Sequence, residues 1–135
     1  MYKRQVLDNI YYDLNKADIR EDAAIELDKL VLIMKDNPTI SIELSSHTDD
    51  RATVEYNQNL SQRRAESAVL YIVSKGINKN RMTAKGYGES QLIILNAKTE
   101  EEHQINRRTE FKVTSYEFVD DSEGEDNEER FFNNN

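Results

Sequence analysis

Two residues open the chemical reading of this chain. Asp49 lies in the run Ser46-His47-Thr48-Asp49-Asp50, and Arg64 in Asn57-Gln58-Asn59-Leu60-Ser61-Gln62-Arg63-Arg64-Ala65. They stand fifteen residues apart, a carboxylate in a loop and a guanidinium on the helix expected after it. Held close together, such a pair clamps a free amino-acid head group: the carboxylate accepts from the ammonium, and the guanidinium donates a two-pronged set of hydrogen bonds to the carboxylate. The same two residues also make a plain ion pair that pins loop to helix. Residue types alone leave both readings open.

The helix phase separates the two adjacent arginines. At 100° per residue, Val54, Ser61, Ala65, Ala68 and Ile72 cluster on one side, expected to face a sheet. Arg64 falls at one margin of that stripe, nearly in line with Asn57 two turns earlier, while Arg63 points further round toward water. Arg64 is thus expected half-buried. A guanidinium withdrawn from water needs an anion, and Asp49 is available.

The elements that must position this pair follow from periodicity. Val6 to Leu14, rich in Val, Ile and Tyr, reads as a strand, followed by a polar loop from Asn15 to Ile19. From Glu21 the period turns helical, with Ala23, Ala24, Leu27, Leu30, Val31 and Met34 on one face, and Asn37-Pro38 ends it. Thr39 to Leu44 alternates as a second strand, with Ser45 to Thr53 as the loop after it. A long helix spans Val54 to Lys75, with Gly76 as its C′ residue. Arg81 to Tyr87 reads as a third strand, with Gly86-Tyr87-Gly88 bending the chain out of it. Leu92 to Leu95 reads as a loop anchor or short strand, and Thr99 caps a helical turn to Gln104 through Glu102. Arg107 to Thr114 is the last strand. The fold class is α+β, an α/β sandwich: two main helices on one face of a four-stranded mixed sheet.

Bulk composition bounds the function. One domain is the default at 135 residues. The segment Glu117 to Asn135 holds eight acids against one arginine, so it carries −7 of the net −8. The expected domain, residues 1–116, is therefore nearly neutral, and residues 117–135 read as an acidic, disordered tail. No basic stripe favours nucleic acid. The absence of Cys removes disulfides and thiolate metal sites. No run of apolar residues is long enough to span a membrane, and no leader is present, so the chain is either cytosolic or a domain of a longer exported protein.

Other candidate chemistry is weaker. His47 and His103 lack a ligand-spaced partner for zinc, and His47 fits a loop-supporting role. Ser61 lies in no nucleophile-elbow pattern. Asp49 and Asp50, adjacent in a loop, are poorly placed to converge on one bond. The tail lacks calcium-loop spacing. No catalytic residue, metal or cofactor is expected.

The ordered motifs resemble the OmpA C-terminal-like family of peptidoglycan-binding domains. The resemblance spans Val6 to Thr114 and rests on Tyr12-Asp13-Leu14-Asn15, His47-Thr48-Asp49, Asn57-x-x-Leu60-Ser61-x-x-Arg64-Ala65, Gly76-Ile77, Ala84-Lys85-Gly86-Tyr87-Gly88-Glu89-Ser90 and Asn106-Arg107-Arg108-Thr109-Glu110-Phe111. It implies a βαβαββ domain that holds the meso-diaminopimelate of peptidoglycan stem peptides non-covalently, in the periplasm and associated with the outer membrane and cell wall, with other envelope proteins as further partners. Carried over by position, Asp49 and Arg64 form the clamp, Asn57 is a second contact, and Thr48, Asp13 and Asn15 line the site. Arg107 or Arg108 should reach it from the last strand; alternation sends these neighbours to opposite faces, and the resemblance favours Arg107. The chain departs from the family at Ser46 and at Arg51-Ala52, where Gly is common, and in its short, Cys-free segment before the last strand. The run from Glu100 to Phe111 resembles Bacteroidetes members.

Overall fold

The computed structural model describes the backbone of Gln5–Val6 and residues 17–119. Asp13 and Asn15, most of the strand expected at Val6–Leu14, and the tail from residue 120 lie outside the described residues. The elements are β1 (Gln5–Val6), α1 (Glu21–Asp36), β2 (Ser41–His47), α2 (Val54–Ser74), β3 (Met82–Gly88), α3 (Glu100–Asn106) and β4 (Thr109–Ser115), with a 3-10 turn at Lys79–Arg81. The sheet order is β1-β4-β2-β3. β2 pairs parallel with β3 and antiparallel with β4, and β1 pairs antiparallel with β4. The expected α+β sandwich is therefore present, with one extra short helix between β3 and β4.

Alternation along the strands divides the sheet into two unlike faces. Ile42 and Leu44 of β2, Met82 of β3 and Phe111 of β4 turn to one side. There they meet Leu27, Leu30, Val31 and Met34 of α1 and Ala68, Val69 and Ile72 of α2. The other face carries Glu43, Ser45, His47, Tyr87 and Glu110. The Ser45 and Tyr87 hydroxyls both donate to Glu43 Oε2 at 2.7 Å, and the His47 ring stacks on Tyr87 at 5.2 Å between centroids.

Several boundaries shift. β2 begins two residues late but runs on through Ser45-Ser46-His47, expected as loop. This polar triplet is sheet because β3 and β4 flank it on both sides and its side chains find partners, as in Ser46 Oγ with Thr109 Oγ1 at 3.1 Å. Leu92 to Leu95 is not a strand. Asn106 holds it as a loop, its Oδ1 accepting from the backbone N–H of Ile93 at 2.8 Å and of Ile94 at 2.9 Å. The capping box of Thr99 and Glu102 forms, and it starts a two-turn helix rather than a single turn. After β4 the chain stays tied to the domain at Phe118, whose N–H donates to Thr39 O at 2.8 Å.

The contact between α2 and β3 sets the height of the site. β3 includes both Gly86 and Gly88 and ends at Gly88, whose φ of 56° lies in the left-handed region, so the chain turns out of the strand there as expected. A Cβ at Gly86 would lie 2.3 Å from the backbone N of Gln62, so only glycine lets helix and strand approach this closely. Gln62 then clips the exposed edge of β3, accepting from Gly86 N at 2.8 Å and donating to Ala84 O at 3.1 Å, while Gln58 donates to Gly86 O at 2.7 Å. These side chains occupy edge groups that would otherwise be open to another strand.

Candidate ligand-binding site

The topology gathers Thr48, Asp49, Asn57 and Arg107 at one end of the sheet. The parallel strands β2 and β3 both finish there, the antiparallel β4 starts there, and α2 begins from the loop that leaves β2. Thr53 caps α2 by accepting from Tyr56 N at 3.1 Å. The loop is fixed from both sides: Thr48 N donates to Gly88 O at 2.9 Å, and Asn57 Nδ2 donates to Asp49 O at 3.2 Å and Glu89 Oε1 at 2.8 Å. Thr48 Oγ1 also donates to Asp49 O, at 2.8 Å. Thr48 and Asn57 therefore hold the backbone of Asp49.

Asp49 is 7% exposed, and its carboxylate gathers two arginines. Arg51 donates from its backbone N to Oδ1 at 3.1 Å, and from Nε at 3.2 Å and Nη2 at 2.8 Å to Oδ2. Arg107 Nη1 donates to the same Oδ2 at 2.7 Å. Burial alone would raise this carboxyl; the hydrogen bonds from Arg51 and then Arg107 outweigh it and hold Asp49 below its ordinary range. Arg107 also donates from Nη2 to Glu100, and Arg51 Nη1 lies 3.1 Å from the other Glu100 oxygen. Hydrogen bonding and charge from Arg107 hold Glu100 low as well.

Arg107 and Arg108 diverge as expected, although both precede the strand, so alternation within β4 is not the reason. Arg107 caps the C-terminus of α3 and points to Asp49. Arg108 turns to the helix-free side, donating to Glu110 Oε2 at 2.7 Å and Gln91 O at 2.8 Å. Asp49 and Asp50 likewise part: Asp50 Oδ1 lies 3.8 Å from His103 Nδ1 on α3.

Arg64 lies on the face of α2 that also buries Asn57, Leu60 and Ser61, and is partnered within the fold. It is 2% exposed rather than half-buried, because the buried stripe also takes in Asn57, Leu60 and Val69 and so brackets Arg64. Arg63 is exposed, as its phase predicts. Val54 corrects the wheel: its phase matches the stripe, yet it is 66% exposed, since phase gives direction and not depth along the axis. Sequence reasoning missed Arg51 and Glu100. The spacing Asp49-x-Arg51 was a signal for the first; Glu100 looked like an ordinary first-turn acid.

Among the described residues, no group of three or more His, Cys, Asp or Glu side chains is placed to hold a metal ion, and no helix is long and apolar enough to cross a membrane.

The OmpA family model matches residues 11–107 of this chain, and the chain belongs to that family. It is 37% identical over 106 residues to outer membrane porin F of Pseudomonas aeruginosa, covering 78% of this chain and 30% of the porin. It is 37% identical over 88 residues to the peptidoglycan-associated lipoprotein of Rhizobium meliloti, covering 65% of this chain and 50% of the lipoprotein. The chain thus spans half or less of these relatives. Its fold is that of the peptidoglycan-associated lipoprotein from Burkholderia pseudomallei, with a TM-score of 0.72 at 24% identity, covering 83% of this chain and 90% of the other.

Proposed function

We propose that this domain binds peptidoglycan non-covalently through the diaminopimelate of its stem peptide, and so fastens an outer-membrane or periplasmic protein to the cell wall. It makes and breaks no bond. The observation that carries the reading is the buried Asp49 carboxylate, presented on a loop held by Thr48 and Asn57 and flanked by Arg107, in a chain of the OmpA family. The curated relatives named for peptidoglycan association support the same direction. Asp49 would accept from the ligand ammonium, and Arg64 with Arg107 would receive its carboxylate. Asp13 and Asn15 complete the proposed contacts by the family resemblance.

Co-sedimentation with purified diaminopimelate-type sacculi tests this. The wild type and Arg63→Ala should sediment with the wall, and Arg64→Ala should not, with circular dichroism confirming that it is folded. Sacculi carrying lysine in place of diaminopimelate lack one carboxylate and should hold the domain less well. Wild-type-like sedimentation of folded Arg64→Ala would contradict the clamp.

A second reading has its own observation: Asp49 already has arginine partners within the chain. On that reading the charges only brace a scaffold for other envelope proteins. It requires no wall binding by the wild type, and a loss of stability in both Asp49→Ala and Arg64→Ala.

A further inference from the structure

We propose that Arg51 and Glu100 are affinity-determining residues that occupy, as a built-in ion pair, the charges a zwitterionic ligand must reach. The inference rests on the binding reading above and concerns the same site.

Four charges close a ring. Arg51 and Arg107 each bridge Asp49 and Glu100: Arg51 reaches Asp49 at 2.8 Å and Glu100 at 3.1 Å, and Arg107 reaches Asp49 at 2.7 Å and also contacts Glu100. The ring has an inner and an outer half. The Asp49 and Arg107 side chains are 10% and 19% exposed, those of Arg51 and Glu100 47% and 59%. The outer half offers a cation to Asp49 and a carboxylate to Arg107. An amino-acid head group offers the same two charges to the same two partners.

Hydrogen-bond capacity makes this competition rather than coexistence. A carboxylate oxygen accepts at about two positions. Asp49 Oδ2 already receives three donors, Arg51 Nε, Arg51 Nη2 and Arg107 Nη1, while Oδ1 takes the Arg51 backbone N–H. An ammonium that reaches Oδ2 must displace one of the three, and the exposed Arg51 side chain is the one free to swing into water. Glu100, on the first turn of α3, competes in turn for Arg107. Ion pairs this exposed are weak and screened by salt, so the outer pair yields to a ligand that fits while lowering its net affinity.

The test is titration calorimetry of the full chain with a meso-diaminopimelate-containing stem peptide, comparing wild type, Arg51→Gln and Glu100→Gln. The two substitutions change net charge in opposite directions, and the ligand head group carries both signs. A field effect alone would therefore move affinity in opposite directions, or not at all for a head group of zero net charge. Competition predicts that both variants bind about two- to fivefold tighter than wild type at low salt. Melting temperatures, read in parallel, should stay close to wild type because both side chains are exposed. Weaker binding in both variants would make these residues ligand contacts, and opposite or absent changes would remove them from the site; each result overturns the proposal while leaving the binding reading in place. No binding by any of the three proteins, together with no sedimentation on sacculi, overturns the binding reading and this inference with it.

Discussion

Arg107 Nη1 meets Asp49 Oδ2 at 2.7 Å, joining the loop after β2 to the C-terminus of α3 across 58 residues of chain. This contact fixes the orientation of the proposed ligand acceptor. It also couples binding geometry to stability, since both side chains are largely withdrawn from water.

Arg107→Ala leaves Asp49 with Arg51 alone. Losing one partner of a pair this buried should cost about 2 kcal/mol, below the value for a fully buried pair because Arg51 remains and water reaches part of Arg107. Urea denaturation reads the loss directly. Arg108→Ala should leave binding intact, since its guanidinium serves Glu110 and Gln91 on the other side. Loss of binding there would reverse the assignment of the two arginines.

The carboxyl of Asp49 is held below its unfolded value of about 3.9. The sign follows from linkage: a depressed folded pKa gives stability that is fully present above the unfolded pKa and is lost as pH falls through the folded one. Wild-type stability should therefore decline below about pH 4 more steeply than that of Asp49→Asn, which has no such proton to take up. Denaturation midpoints from neutral pH down to acid measure the difference. Parallel curves would mean that Asp49 does not carry the linkage.

Gly86→Ala places a methyl against the Gln62 backbone and the Ser61 hydroxyl. Helix and strand must then separate, at a cost of about 2 kcal/mol. Ser61 Oγ accepts from Gly88 N at 2.9 Å, and Gly88 O accepts from Thr48 N, so the separation should reach the binding loop and weaken wall binding as well. Wild-type stability in this variant would show that the close approach is dispensable.

The sequence made the sandwich legible because its apolar periods are clean. Leu27, Leu30, Val31 and Met34 face the core as their spacing predicts, and the start of α1 at Glu21 and the capping box at Thr99 fall where local chemistry places them. Ser45 to His47 was misread as loop because strand pairing from both sides, not composition, makes it sheet. Arg81 gave no local signal. Its guanidinium donates to Met34 O at 2.9 Å and Asn37 O at 2.7 Å, closing the C-terminus of α1 from more than forty residues away. In the site, Asp49, Thr48, Asn57 and Arg107 were legible through motif order, and the structure brings them together. The Arg51–Glu100 pair was not, because it depends on α3 arriving beside the loop from a part of the chain with no long-range cue.

The central claim is that Asp49 receives the ligand ammonium. Titration of wild type and Asp49→Asn with a meso-diaminopimelate stem peptide tests it most directly, since the amide keeps the shape and removes the charge. The account predicts saturable binding by wild type that falls by about two orders of magnitude or more in Asp49→Asn, in line with loss of a charge-assisted contact. Equal affinity in a folded Asp49→Asn would contradict it.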